Sequence, residues 1–209
     1  AEWTAMAQRI EGFGEAAERA GRQFSAGSYY LRAAVYYFCG ERFIAPSERK
    51  WETYRNCLRC FRKGIERRYP DIERVEVPYR HNEVRNEEGT TLPAWLLKAN
   101  VKGPAPAVVM FDGLDNAKEL SVLFGGVEIA RRGIHVLAID GPGQGEALRL
   151  QGIPSRYDYE VPARAAYEYL SRRPEIDSRR IGVMGFSMGG YYAPRAAAME
   201  PRFAACLAW

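Results

Sequence analysis

The 209-residue sequence carries 30 Lys and Arg against 26 Asp and Glu, a formal net charge of +4, and is 47% hydrophobic and 27% charged. Such a chain can bury a proper core, which argues against disorder and for one domain plus an appendage or two small domains. The basic residues are mixed with acids instead of forming a tract, so electrostatics give no reason to expect nucleic acid as a partner.

No apolar run approaches the ~20 residues of a bilayer span, and the amino end lacks the charged-then-apolar order of a signal peptide. The sequence therefore reads as a soluble, cytoplasmic protein without a membrane partner. Cys39, Cys57, Cys60 and Cys206 are too scattered for a disulfide scaffold, which fits free thiols in a reducing compartment. Cys57-x-x-Cys60 has metal-like spacing, but it lies in a helical pattern with no second Cys or His pair nearby, so neither a metal nor a cofactor is expected.

In chain order, residues 1–20 and 25–43 read as two helices separated by the Gly and Ser residues around Gly21 to Ser28. A third follows Pro46-Ser47, where Trp51, Tyr54, Leu58, Phe61 and Ile65 step by three and four and Ser47 can cap the amino end. Arg59, Arg62, Lys63, Arg67 and Arg68 are read as its solvated face. Most of Tyr29, Tyr30, Tyr36, Tyr37 and Phe38 are expected in the core of this helical region, 1–70.

The pattern changes near Pro70, where a second region, 71–209, begins. IERVEVPY and LPAWLLKA alternate like paired strands, with HNEVRNEEGT connecting them. APAVVMF, GIHVLAI and RIGVMGF are continuous Val- and Ile-rich runs, as in parallel strands covered on both faces. Helix-length segments at Lys118 to Arg132 and Tyr159 to Arg173 lie between them, so the order predicts an α/β fold with right-handed crossovers.

The chemistry gathers where strands end. Gly185-Phe186-Ser187-Met188-Gly189 is a G-x-S-x-G between a buried strand and a helix, the context in which a serine nucleophile sits on a tight turn that only small neighbours permit. A serine that merely caps a helix would not need glycines on both sides. After APAVVMF, Asp112-Gly113-Leu114 turns toward the next helix, and the N–H groups of Leu114 and Met188 are candidate oxyanion donors, each worth on the order of 3 kcal/mol when held in place beforehand. Asp115 and Glu119 are candidates for orienting a substrate or a water, or for favouring the positive end of the helix. Asp140-Gly141-Pro142-Gly143-Gln144-Gly145-Glu146 fails the phosphate-loop frames and is expected to wall a pocket at the carboxyl edge of the sheet.

The segments FDGLDNAKEL, AIDGPGQGE and DSRRIGVMGFSMGGYYAPRAA, behind a helical amino-terminal region, resemble one branch of the α/β-hydrolases. It is the branch of 2,6-dihydroxypseudooxynicotine hydrolase, the fermentation-respiration-switch esterase-like proteins and the fungal hydrolases that shorten polyketide chains in pigment synthesis. The resemblance implies an α/β-hydrolase fold with residues 1–70 as a cap that contributes to a homodimer. It also implies a serine hydrolase of small carbonyl compounds, including ketones cleaved at a carbon–carbon bond. It carries the nucleophile to Ser187, the oxyanion donors to Leu114 and Met188, and a substrate-holding acid to Asp115 or Glu119.

In this fold the acid and histidine of the triad follow the serine in the chain, yet His81 and His135 both precede Ser187. His135, at the amino edge of its strand, reads as structural and His81 as an exposed loop residue. The expectation is that the protein continues for roughly another hundred or more residues holding the acid and the base, bringing it nearer the larger domain sizes of this class. Residues 1–209 alone would then be poorly soluble and nearly inactive. Two rival readings stand beside the carbon–carbon hydrolase: a carboxylesterase or peptidase on the same frame, and a catalytically silent binding module.

Overall fold

The computed structural model describes residues 2–80 and 89–209. The chain forms two compact units, Ala1–Ile72 and Glu73–Trp209. The connection expected across HNEVRNEEGT, with His81, falls mostly outside the described residues.

The first unit is three helices, α1 (Glu2–Arg19), α2 (Gln23–Arg42) and α3 (Glu48–Arg68). Ser47 caps α3, its hydroxyl accepting from the Lys50 N–H, the bond expected of a serine ahead of an apolar periodic run. The break between α1 and α2 is shorter than the Gly and Ser residues suggest. Gly21, at φ +73°, makes the turn, and Gln23 to Ser28 already belong to α2. Tyr30, Tyr37 and Phe38 are buried as expected, and Cys57 and Cys60 are buried thiols on α3. Glu11 of α1 is enclosed with them. It accepts from Tyr37 Oη at 2.9 Å and pairs with Arg59, so a carboxylate in the packed layer is answered by a donor and a cation.

Among the described residues, the second unit is built on a six-stranded sheet ordered β1-β2-β4-β3-β5-β6. Its strands are β1 (Glu73–Tyr79), β2 (Thr90–Leu97), β3 (Ala105–Phe111), β4 (His135–Ile139), β5 (Ile176–Gly185) and β6 (Ala205–Ala208). The first two pair antiparallel, as their alternation predicts, and β3 lies parallel between β4 and β5. All five residues of β4 are buried, which is why the run carries no polar alternation. His135 opens that strand. It is buried, accepts the Ala99 N–H at Nδ1 over 3.1 Å, and is held below the usual histidine range first by burial, consistent with a structural residue.

Two segments differ from the sequence expectation. The single helix expected from Lys118 to Arg132 is α4 (Lys118–Ser121), a π-helical turn over Val122–Gly126, and α5 (Val127–Arg131). At Gly126 a Cβ would stand 3.1 Å from Leu97 Cδ2, so the chain passes close to β2 at this wider turn. The loop after β4 also contains a short helix, α6 (Gly145–Arg149), which the glycines conceal. Helices α7 (Glu160–Ser171) and α8 (Gly189–Met199) match the remaining expectations. On the α7 face, Phe111 meets Tyr159 edge-on at 5.1 Å and Tyr159 stacks on Tyr192 at 3.6 Å, tying the end of β3 to α7 and α8.

Register places the site. Phe111 pairs with Ile139 on one side and with Gly185 on the other, so β3, β4 and β5 end level with one another. Asp112, Asp140 and Phe186-Ser187 are therefore the first residues beyond one shared edge, the carboxyl edge where α/β sheets keep their ligands.

Candidate active site

Ser187 has φ +55°, the left-handed region, and is the one non-glycine residue with positive φ among the described residues. An L-residue held there costs of order 1–3 kcal/mol. Three hydrogen bonds hold it: Gly189 N–H to Phe186 O and Gly190 N–H to Ser187 O, each 2.8 Å, and Ser187 N–H to Trp209 O, 2.7 Å. The flanking glycines are steric necessities. A Cβ at Gly185 would fall 2.0 Å from Gly189 O, and one at Gly189 would fall 2.6 Å from Phe111 O. The turn thus presses β5 and α8 together under the serine, whose residue is exposed.

The loop after β3 comes to the same point. A Cβ on Gly113 would stand 2.8 Å from Ser187 Cβ and 3.1 Å from its Oγ. Leu114, the next residue, is exposed and so is Asp115. Met188 is the amino-terminal cap of α8, where helix N–H groups point out of the helix. The structure therefore brings Ser187, Leu114, Met188 and Asp115 to neighbouring positions on one edge. Glu119 is not exposed there. It is 1% exposed, paired with Lys118 Nζ at 2.8 Å, and accepts from Trp95 Nε1 at 3.2 Å. The buried carboxyl is pushed up first by burial, with Asp140 adding to that against the pull of Lys118.

Behind the exposed edge lies a charged cluster that the sequence reading does not identify. Lys118 is fully buried, and its ammonium sits 2.7 Å from Asp140 Oδ2, 2.8 Å from Glu119 Oε1 and 2.9 Å from Glu146 Oε2. Burial alone would discharge it, but the three carboxylates outweigh burial and hold it protonated well above the usual lysine range. Arg74 of β1 pairs with Glu146 from the other side at 3.1 Å. Asp140 also accepts two backbone N–H groups, Lys118 at 2.9 Å and Glu146 at 2.8 Å, and so joins the loops after β3 and β4.

The glycine-rich loop after β4 is built around this clamp. At Gly145, φ +35°, a Cβ would collide with Asp140 Oδ2 at 2.1 Å. Gln144 Nε2 donates to the Asp112 carbonyl, while Gln144 Oε1 accepts from the Gly141 N–H at 3.1 Å and Tyr159 Oη at 2.9 Å. The loop expected to wall a pocket is thereby also the support of the Asp112–Leu114 segment. A signal for this exists in the sequence: β3 and β4 are both followed by Asp-Gly, in FDG and IDG, two acids at level positions just beyond adjacent parallel strands.

Among the described residues no helix is long and apolar enough to cross a membrane.

The family model described as "Esterase FrsA-like" matches residues 2–208. An alpha/beta hydrolase of Acremonium sp, ucsC, is 34% identical over 220 residues, covering 98% of this chain and 44% of the relative. The 2,6-dihydropseudooxynicotine hydrolase of Paenarthrobacter nicotinovorans is 32% identical over 209 residues, covering 99% of this chain and 53% of the relative. The crystal structure of the 2,6-dihydroxy-pseudo-oxynicotine hydrolase superposes with a TM-score of 0.83 at 29% identity, over 99% of this chain and 56% of that one. The chain spans about half the length of the curated relatives it matches. A serine held in the left-handed region between β5 and α8, at the carboxyl edge of this mostly parallel sheet, and a family match running nearly end to end lead to one assignment: the chain belongs to the FrsA-like esterase family of α/β-hydrolases.

Proposed function

We propose that Ser187 is the nucleophile of a hydrolase acting on small carbonyl compounds, among them ketones cleaved at a carbon–carbon bond. The observation that carries this reading is the φ of +55° at Ser187, a strain of the kind kept at functional sites, with Gly113 packed against its side chain. Ser187 Oγ adds to the carbonyl carbon as its proton passes to a histidine, and the Leu114 and Met188 N–H groups receive the oxyanion. His135 is not that base, being buried at the amino edge of β4, the opposite end of the strand from Asp140. On collapse the C–C bond breaks, its electron pair leaves with the departing carbon, and that carbon takes the proton the histidine had accepted. Water then releases the acyl group as a carboxylic acid. A carbanion leaves poorly without protonation, and Asp115, exposed beside Leu114, is the acid we assign to holding substrate there. We further assign residues 1–70 to the cap that selects the substrate and to a homodimer contact.

Ester hydrolysis on the same serine is the second reading, and it is supported by the esterase family model. The full-length protein, treated with a fluorophosphonate and digested, should carry the adduct on the Ser187 peptide, with none in Ser187→Ala. Labelling elsewhere, or none in a folded protein, would leave a binding module as the reading. Turnover of a β-diketone against a matched ester then separates the two hydrolases.

A further inference from the structure

We infer that Asp112 positions the loop that faces Ser187, and that it does so as a neutral carboxylic acid. Its effect on turnover rests on the hydrolase reading above; its effect on the loop does not. Asp112 follows β3 directly and is fully buried. Its Oδ1 accepts from Asn116 Nδ2 at 2.6 Å and from Ser121 Oγ at 2.5 Å, so one oxygen ties the loop to itself and to the last residue of α4. Its main-chain carbonyl is held by Gln144, and Gly113, the next residue, is the one in contact with Ser187. Any displacement of Asp112 is passed to Leu114 through two peptide units.

The surroundings decide its protonation. Among the described residues, Oδ2 of Asp112 is buried with no hydrogen-bond partner. The buried cation nearby is committed elsewhere, because Lys118 Nζ touches Asp140, Glu119 and Glu146. Glu119 of α4 and Asp140, just beyond β4, are the acids whose charges act on Asp112; Lys118 Nζ joins both to Glu146 of α6, and Tyr159 at the start of α7 faces the same charge. Arg74 of β1 stands beyond Glu146. Among the described residues, four carboxyls thus share two cations, and burying the excess negative charge costs far more than retaining protons. The carboxyl with no cation in contact is where a proton is kept at least cost. Burial, helped by Asp140 and Glu119 against the Ser121 hydrogen bond, pushes the Asp112 carboxyl up to about 8. Above that pH a charge appears beneath the loop whose N–H groups are to receive an oxyanion, and it opposes both the loop's packing and the oxyanion.

The test uses the full-length protein and two variants. Asp112→Asn keeps the acceptor oxygen and replaces the acid O–H by an N–H that cannot ionise; Asp112→Leu removes both. In infrared difference spectra near neutral pH, the wild type should show a protonated-carboxyl carbonyl band that Asp112→Asn lacks. Absence of that band from the wild type would overturn the proposal, whatever the protein hydrolyses. In kinetics, Asp112→Leu should lower kcat/KM by about tenfold or more, and Asp112→Asn should restore it to within about threefold at pH near 6 and lose the decline in rate above pH 8. An Asp112→Asn protein that folds but is as impaired as Asp112→Leu would show that the charged form is needed, and would equally overturn the proposal. A carbonyl band with no serine-dependent turnover would instead strike the hydrolase reading and leave the neutral Asp112 standing.

Discussion

Gly113 and Ser187 are in van der Waals contact across two loops that leave adjacent strands, and there is no room between them for a side chain. A Cβ on Gly113 would lie 2.8 Å from Ser187 Cβ and 3.0 Å from Phe186 O. The spacing of the Asp112–Leu114 loop from Ser187 is therefore set by the absence of one methyl group.

Gly113→Ala should push the two loops apart by a fraction of an ångström while leaving the sheet intact. Misplacement on that scale can cost on the order of 10²-fold in rate. We expect kcat/KM to fall by about that factor and fluorophosphonate labelling of Ser187 to slow in parallel, with stability reduced by only about 1–2 kcal/mol. Unchanged kinetics would mean that the loop does not serve the reaction.

Ser187→Gly should do two opposite things. Turnover is lost with the hydroxyl, and the backbone is relieved, because glycine adopts φ +55° without steric cost. Stability should rise by about 1 kcal/mol, less whatever the unfolded chain gains in freedom from the new glycine. Ser187→Ala keeps the Cβ and the strain, so it should lose activity without that gain. Urea unfolding of the three proteins reads the difference.

Lys118→Met leaves the buried Asp140 and Glu119 and the half-buried Glu146 around no ammonium. Breaking a buried ion pair in this way destabilises by about 3–5 kcal/mol. The stranded carboxyls then have raised folded pKa values. Their folded state binds more protons than the unfolded state, so the loss should be largest at alkaline pH and shrink as the pH falls toward the unfolded carboxylate range. Urea midpoints measured on both sides of neutrality should show that slope; a pH-independent loss would point to packing alone.

Glu200, the carboxyl-terminal cap of α8, accepts from Arg202 Nε and Nη2, both at 2.7 Å, and from Arg164 of α7 at 3.2 Å. The Arg202 hydrogen bonds above all hold its carboxyl down at about 2. A depressed folded pKa gives stability that is present above the unfolded value and is lost as the pH falls through about 2. Glu200→Gln should therefore cost about 2 kcal/mol near neutrality and almost nothing in strong acid. Equal losses at both pH values would contradict the ion-pair account.

Much of this arrangement is legible before the chain is folded. Alternation from Arg74 to Tyr79 in IERVEVPY and the unbroken apolar runs of β3 and β4 give the two kinds of strand, because β1 exposes one face and the parallel strands expose neither. Glycines at 185 and 189 around Ser187 announce a turn that tolerates no side chains. The π-turn at Val122–Gly126 and the short α6 are not announced, since the first answers to Leu97 and the second to Asp140, residues distant along the chain.

The same division runs through the candidate site. Ser187 is found from its own neighbours, because backbone sterics are local and a five-residue pattern carries them. The separate fates of Asp115 and Glu119 are not: four residues apart, one is exposed and the other is sealed against Lys118 and Trp95. The roles of Asp112 and Asp140 are equally hidden, although each follows an apolar run and precedes a glycine. Burial and charge pairing are properties of what surrounds a side chain, and those surroundings are assembled from β1, β2, the end of β4 and α6. Which acid meets water, which meets an ammonium and which meets neither is decided only when the strands come into register.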